Sequence, residues 1–143
     1  MADITHLIRV AAPVTTLYPL VATPGGLARW WAEDVESSDP RHARVGFFDR
    51  ATVYALRLDR ADDAVAATWA CESGQEWAGT RLEFGLVPSG QDTTVRFVHA
   101  AWAAPTDYFH SCNTVWGELM FRLKSEAEGR ALGPLFGRTA MSY

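Results

Sequence analysis

Apolar and polar residues alternate along several short segments of the chain, with the two-residue period of strands that bury one face. The first of these segments is Ile4–Val10. The four others lie further along the chain, at Thr52–Leu58, Ala64–Cys71, Thr80–Val87 and Thr93–Ala101. Short polar or glycine-containing segments separate these four, as in turns that join neighbouring antiparallel strands. The pattern therefore predicts an antiparallel meander.

In the four later segments, most residues at every second position are apolar, which predicts one apolar face of the sheet. They are Tyr54, Leu56, Leu58, Val65, Ala67, Trp69, Cys71, Leu82, Phe84, Leu86, Val95, Phe97 and His99. The intervening positions are polar, and they include Arg57, Thr68, Arg81, Glu83, Thr94 and Arg96. One face of the predicted sheet is therefore buried and the other faces water.

A change of period marks a long helix in the last third of the chain. Over Asp107–Glu128, apolar residues recur at steps of three and four, which predicts a helix with one broad apolar face. Thr106 can cap its first turn, and Gly129 suits its end. At about 1.5 Å per residue the helix is roughly 33 Å long, enough to cross the apolar face of the sheet. Residues 130–143 predict a loose or surface-docked tail.

Prolines shape two short helices predicted after the first strand. Pro13 can open the first, and Pro19 must shorten or kink it, because proline lacks the N–H that a helical hydrogen bond needs. Thr23 and Pro24 supply an N-cap and a first-turn proline for the second. Residues Ala32–Arg50 are mostly polar and predict no clear element.

Composition narrows the class of protein. The 143 residues, 48% hydrophobic and 21% charged, predict one globular domain over residues 1–143 rather than a disordered, collagen-like or coiled-coil chain. The net charge of −4 and the scattered basic residues argue against a nucleic-acid partner. Prolines and glycines break the uncharged stretch Val10–Ala28, so we expect no membrane span. No secretory signal opens the chain, and we expect a cytoplasmic location.

Two cysteines, Cys71 and Cys112, are too few for a disulfide framework. They lack the spacing of a zinc site, so we expect free thiols and no metal. The sequence contains no Walker loop, dinucleotide fingerprint or hydrolase elbow, and we expect no cofactor.

Four groups of residues carry a family resemblance: Leu27-Ala28-Arg29-Trp30-Trp31, Trp77–Phe84, Val95–Trp102, and Trp116-Gly117 followed by Leu123-Lys124 and Glu128-Gly129. They resemble the START-like (SRPBCC) superfamily, in the bacterial branch related to the activator of the 90-kDa heat-shock-protein ATPase. The resemblance covers about Ile4 to Pro134 and implies an α+β helix-grip fold. In that fold a curved antiparallel sheet wraps around a long C-terminal helix, with two short helices after the first strand. Members usually have a glycine-containing hairpin between Glu33 and Ala64, where this chain offers only Gly46.

Six tryptophans in a chain of this length predict either a filled core or a cavity lined by indole rings. With the family resemblance, they favour a cavity between sheet and C-terminal helix that binds a small apolar or aromatic molecule, such as a lipid or polyketide. The predicted walls are Trp31, Trp69, Phe84, Phe97, Trp102, Tyr108, Cys112, Trp116 and Met120. His99 lies on the same face and is the predicted polar anchor of the ligand. A structural role is the alternative for this histidine, bonded to a backbone carbonyl or to the long helix.

Two other functions remain open at this point. The family's relatives imply a protein-interaction module that associates with a chaperone, although in those relatives the domain is joined to a separate chaperone-binding domain. Some START-like proteins are cyclases or hydrolases, which implies an enzyme using the same cavity, but that role needs at least two convergent polar groups. Glu72 and Glu76 are one such pair, or simply solvated carboxylates. Either a monomer or a homodimer is compatible with the sequence.

Overall fold

Residues 1–138, which a computed structural model describes, form seven strands and three helices. The strands are β1 (Ala2–Val10), β2 (Asp34–Asp39), β3 (His42–Phe47), β4 (Thr52–Asp62), β5 (Ala66–Cys71), β6 (Arg81–Ser89) and β7 (Asp92–Trp102). The helices are α1 (Val14–Ala22), α2 (Pro24–Trp30) and α3 (Asp107–Ala127). The sheet order is β1-β7-β6-β5-β4-β3-β2, and every neighbouring pair is antiparallel. The predicted α+β helix-grip fold, with its meander from β4 to β7, is confirmed.

The predicted apolar face of the sheet is buried, with one exception. Val65 is 55% exposed, so its placement on that face was wrong. Strand β4 continues past Leu58 to Asp62, through a shift of register between Leu58 and Arg60. Val65 therefore falls in the turn before β5, where its N–H donates to the carbonyl of Asp62 at 2.9 Å.

The hairpin of β2 and β3 supplies the two strands that the sequence did not predict. Strand β2 forms one edge of the sheet and leaves its last four residues exposed, so it shows no alternation of buried positions. Its turn uses a carboxylate, since Asp39 accepts hydrogen bonds from the Arg41 N–H at 2.8 Å and from the His42 ring at 2.9 Å. Side-chain capping of this kind can close a turn without glycine.

Both short helices are confirmed, and one threonine joins them. Helix α1 keeps Pro19 inside its nine residues. The Thr23 hydroxyl donates to the Pro19 carbonyl at 2.7 Å and accepts from the Gly26 N–H at 2.9 Å. Thr23 thus satisfies an acceptor at the end of α1 and a donor at the start of α2.

We expect Thr23→Ala to lower the free energy of unfolding by about 1–2 kcal/mol, because it removes both of these hydrogen bonds. Urea titration of the wild type and the variant measures this difference. The matched control is Thr16→Ala in α1, where the side chain is exposed. Equal changes for the two variants would contradict the capping role.

Helix α3 begins and ends where the sequence indicates. The Thr106 hydroxyl accepts from the Phe109 N–H at 3.2 Å, and Gly129 takes a left-handed φ of 87° just after the helix. Its buried residues face the sheet, and they are Phe109, Cys112, Trp116, Leu119, Met120, Leu123 and Ala127. The apolar stripe therefore packs as predicted.

The tail docks on the protein as far as residue 138. Phe136 is only 4% exposed and forms a parallel bridge with Ala32. The N–H groups of Leu135 and Phe136 donate to the carbonyls of Trp30 and Trp31, each at 3.0 Å. Of the two predicted forms of the tail, docking applies to residues 130–138, and residues 139–143 lie outside the described part.

Candidate functional site

Indole rings fill most of the space between α3 and the centre of the sheet. All six tryptophans are buried. Trp30 and Trp69 donate their ring N–H groups to the carbonyls of Leu20 and Val21, at 2.9 and 2.8 Å. The Trp116 ring lies 4.3 Å from that of Phe97. The filled-core interpretation therefore describes the middle of the layer.

A pocket of about 130 Å³, partly open to solvent, remains at one end of this layer. It lies where the first half of α3 meets the β3–β4 connection, the loop before β6 and the docked tail. Its walls are Trp31, Phe47, Phe48, Thr52, Tyr54, Trp77, Tyr108, Cys112, Val115, Trp116, Leu119 and Phe136. All of these side chains are uncharged, and most are aromatic.

The structure brings four of the ten predicted site residues to this pocket. These are Trp31, Tyr108, Cys112 and Trp116. The other six are buried elsewhere in the layer, and they are Trp69, Phe84, Phe97, His99, Trp102 and Met120. Four of these six lie on the sheet face that was predicted to be buried, and they are Trp69, Phe84, Phe97 and His99; Trp102 ends β7 and Met120 lies on α3. Whether a strand residue lines the pocket depends on its position along the strand, because packed rings cover the centre of the sheet and leave one end uncovered.

His99 has both ring nitrogens occupied by other protein groups. The Trp116 ring N–H donates to Nδ1 at 3.1 Å, so Nδ1 carries no proton. Nε2 then donates to the Thr80 hydroxyl at 2.8 Å, and that hydroxyl donates to the Trp77 carbonyl at 2.6 Å. Burial lowers the pKa of His99 to about 3, so the ring is neutral near pH 7. The structural alternative, a bond to the long helix, describes this histidine.

The polar groups that do face the pocket are hydroxyls and a thiol. The Tyr54 and Tyr108 hydroxyls lie 2.5 Å apart. Burial raises the pKa of Tyr108, as does its hydrogen bond with Tyr54. Burial also raises the pKa of the Cys112 thiol. The Tyr108 hydroxyl and the Cys112 thiol are therefore neutral near pH 7 and act through hydrogen bonds.

Trp77 forms the wall behind these hydroxyls. Its ring stacks on Tyr54, with centroids 4.0 Å apart and planes 6° from parallel. Within residues 1–138 its buried ring N–H has no hydrogen-bond acceptor of ordinary geometry, and the Cys112 thiol is the polar group beside it. A buried donor without a full partner is unusual and can serve a bound acceptor.

The wall residue Phe48 begins a strained turn. Phe48, Asp49 and Arg50 all have left-handed backbone angles, with φ of 55°, 52° and 66°. Three consecutive non-glycine residues in this region are energetically unfavourable unless neighbouring contacts fix them. The Arg50 guanidinium donates to the buried Asp34 carboxylate at 2.8 Å, and the Asp49 N–H donates to the Arg138 carbonyl at 3.0 Å.

Sequence reasoning missed eight wall residues: Phe47, Phe48, Thr52, Tyr54, Trp77, Val115, Leu119 and Phe136. Four of them carried a usable signal. Trp77 is one of the six tryptophans whose number favoured a cavity lined by indole rings. Tyr54 stands on the predicted apolar face, and Val115 and Leu119 belong to the apolar stripe of the long helix. Phe136 has no periodic neighbours in the sequence, so nothing there marks it as a wall residue.

The described part of the chain holds no cluster of three or more metal-ligating side chains. None of its helices is both long and apolar enough to cross a membrane. Glu72 pairs with Arg57 at 3.1 Å, while Glu76 accepts from the Thr106 hydroxyl at 2.5 Å. Both carboxylates are exposed and each serves a local surface contact, as in the alternative of solvated carboxylates.

No protein-family model and no curated protein sequence matches this chain. Several solved structures share its fold. The Aha1 dimer from Colwellia psychrerythraea has a TM-score of 0.78 and 26% identity over 91% of this chain and 98% of that one. CalU16 from Micromonospora echinospora has a TM-score of 0.69 and 15% identity, covering 90% of this chain and 75% of that one. DynU16, a protein from the dynemicin biosynthetic locus, has a TM-score of 0.71 and 18% identity, covering 89% and 47%.

Two of these similarities support only a shared fold, and the third also supports the family resemblance. The last two structures, at 15% and 18% identity, share the fold alone. The structure of the Aha1 dimer is similar in sequence as well, over nearly its whole length. The resemblance to the START-like superfamily, in its bacterial branch related to the activator of the 90-kDa heat-shock-protein ATPase, is therefore confirmed.

Proposed function

We propose that the protein binds a small, uncharged aromatic or apolar molecule in the pocket beside α3. The pocket's size and lining support this proposal. An apolar cavity of about 150 Å³ holds benzene, whereas drug-sized ligands need roughly 300 Å³ or more. At about 130 Å³, this pocket suits a ligand with one six-membered ring. A lipid or polyketide would require a wider pocket.

The pocket lining also restricts the ligand's polarity. A charged ligand would lose its hydration here without meeting an opposite charge, since none of the wall residues is charged. The Tyr54–Tyr108 hydroxyl pair and the Trp77 ring N–H lie along one side of the pocket. A ring with a hydroxyl or carbonyl substituent can therefore hydrogen-bond on that side and pack its other edges on aromatic walls.

Binding is favoured over catalysis by the state of the polar groups. A cysteine nucleophile must be a thiolate, and the raised pKa of Cys112 keeps its thiol protonated near pH 7. The raised pKa of Tyr108 likewise opposes a role as general base. These groups can orient a ligand, but neither is activated for attack or proton abstraction.

A protein-interaction role is the second candidate. The observation that favours it is the similarity to the Aha1 structure from Colwellia psychrerythraea, which is a dimer. For this chain, a homodimer and a chaperone partner are accordingly parts of that second proposal.

We expect phenol to cause saturable chemical-shift changes at the Trp77 ring N–H and at Cys112 in a 15N-resolved NMR titration. Tyr108→Phe removes a hydroxyl from the pocket wall, so phenol should bind about five- to tenfold more weakly, with toluene affected less. Val115→Phe adds a ring to the pocket wall and should abolish binding. Its matched control is Val98→Phe on the opposite face of the sheet, which should bind phenol normally. Binding that survives Val115→Phe, or the absence of binding to the wild type, would contradict the proposal.

A further inference from the structure

Residues 134–138, here called the strap, follow α3 and lie against the pocket through Phe136. Phe136 is the strap residue that lines the pocket, and its ring meets that of Phe47 edge-on, with centroids 5.0 Å apart. Its N–H donates to the Trp31 carbonyl at 3.0 Å, and its own carbonyl accepts from the Glu33 N–H at 2.8 Å. An aromatic ring of the protein itself thus occupies space that would otherwise extend the pocket.

The strap is held by backbone hydrogen bonds, by the buried ring of Phe136 and by ion pairs of Arg138. Phe136 is its only fully buried residue; the others are half-buried or exposed. Arg138 is 60% exposed and lies 3.7 Å from Glu33 and 3.6 Å from Asp34. Ion pairs that reach solvent in this way stabilise weakly. Gly133, which precedes the strap, has a left-handed φ of 80° that glycine adopts without strain.

The strap also holds the strained turn that carries Phe48. The Arg138 carbonyl accepts the Asp49 N–H at 3.0 Å, in the middle of the three left-handed residues. The buried Asp34 carboxylate ties the two segments further, because it lies 2.8 Å from Arg50 and 3.6 Å from Arg138. Loss of the strap would remove a contact that fixes the strained turn, which carries the wall residue Phe48. Strain of this kind collects at ligand clamps and switches.

We propose that the strap is a gate that narrows the pocket in cis, and that Phe136 sets the size of ligand admitted. With the strap docked, the pocket takes one ring. With the strap released, Phe136 and the strained turn with Phe48 move apart, and the same uncharged pocket takes a fused two-ring aromatic molecule. This inference rests on the proposed ligand binding, because the gate acts on the same pocket.

Hydrogen exchange tests the gate without any ligand. We expect the N–H groups of Leu135 and Phe136 to exchange at least a hundredfold faster than that of Phe97, which lies on β7 inside the sheet, because the strap opens locally. Arg138→Ala should accelerate the exchange of the two strap amides and leave Phe97 unchanged. If the strap amides exchange only as slowly as Phe97, they open only on global unfolding, and the gate is disproved.

Ligand size provides the second test. We expect Phe136→Ala to bind 2-naphthol at least tenfold more tightly than the wild type, with a smaller change for phenol, and Phe136→Trp to bind 2-naphthol more weakly than the wild type. Leu132→Ala, at an exposed position before the strap, is the matched control and should match the wild type. Equal affinity of the wild type and Phe136→Ala for 2-naphthol would overturn the gate. If phenol does not bind the wild type, the proposed function fails instead, and the exchange rates still decide whether the strap opens.

Discussion

The free energy of unfolding is expected to fall by about 3 kcal/mol between pH 6.5 and pH 4 on account of His99 alone. In the unfolded chain this imidazole titrates near its ordinary pKa of 6.5, whereas burial lowers its pKa to about 3 in the folded protein. Below pH 6.5 the unfolded state therefore binds a proton that the folded state excludes. Stability is complete above pH 6.5 and declines as the pH falls towards 3.

The hydrogen bonds explain why the folded protein resists protonation at this site. Protonation would place a hydrogen on Nδ1, which already accepts the Trp116 ring N–H. The two donors would then oppose each other in a buried position. Carboxylates such as Asp39 and Glu128 have lowered pKa values, and their contribution is lost at more acidic pH, below about 4. The range between pH 4.5 and 6.5 isolates the histidine.

Urea unfolding at a series of pH values measures this dependence. His99→Gln removes the titration, so its stability should be lower at pH 7 but nearly constant from pH 6.5 to 4.5. His42→Gln is the control, since His42 is exposed and pairs with Asp39 at 2.9 Å. NMR of the wild-type His99 ring gives a second measurement that needs no variant. A ring that protonates near pH 6 in the folded protein would refute the argument.

Gly26→Ala is expected to destabilise the protein by about 3 kcal/mol or more. A Cβ at this position would lie 1.9 Å from the Pro19 carbonyl oxygen and 2.7 Å from the Cα of Leu20. Both are backbone atoms, so no side-chain rotation can relieve the clash. The two short helices would have to separate at their junction, which also holds the Thr23 cap.

Gly25→Ala is the matched control for this prediction. A Cβ on Gly25 would meet nothing within 4 Å, and alanine is the better helix former by up to about 1 kcal/mol. We therefore expect Gly25→Ala to be neutral or slightly stabilising in thermal and urea unfolding. Failure of Gly26→Ala to fold while Gly25→Ala folds would agree with this account. Similar stability of the two variants would show that the junction tolerates a side chain.

The sequence predicted the fold well wherever a buried face imposes a period. Strands β4 to β7 and helix α3 bury one face each, and their alternation or stripe is visible in the residues. The β2–β3 hairpin escaped prediction because β2 is an exposed edge strand, and its turn depends on side-chain hydrogen bonds of Asp39. Extension of β4 to Asp62 likewise follows from a local shift of register that no apolar pattern marks.

The site was predicted less well than the fold, for a physical reason. Periodicity shows which face of a strand is buried, but not whether the neighbouring layer fills the space above a given residue. Phe97 and Tyr54 have the same sequence signature, yet Trp116 covers Phe97 and the pocket lies beside Tyr54. Phe136 is a single buried residue in a tail without apolar periodicity, so only the folded chain shows that it docks at the pocket.

The acidic edge strand β2 also affects how copies of this protein meet at high concentration. An exposed edge offers unpaired N–H and C=O groups to any other strand, which is a common route to aggregation. Strand β2 carries Asp34, Glu36 and Asp39 within six residues. Asp34 is buried against Arg50, so a second copy aligned edge to edge would bring together the exposed carboxylates of Glu36 and Asp39, and their repulsion opposes sheet extension. The protein is therefore protected from polymerising through this edge, and the protection weakens as acid neutralises the carboxylates or salt screens them.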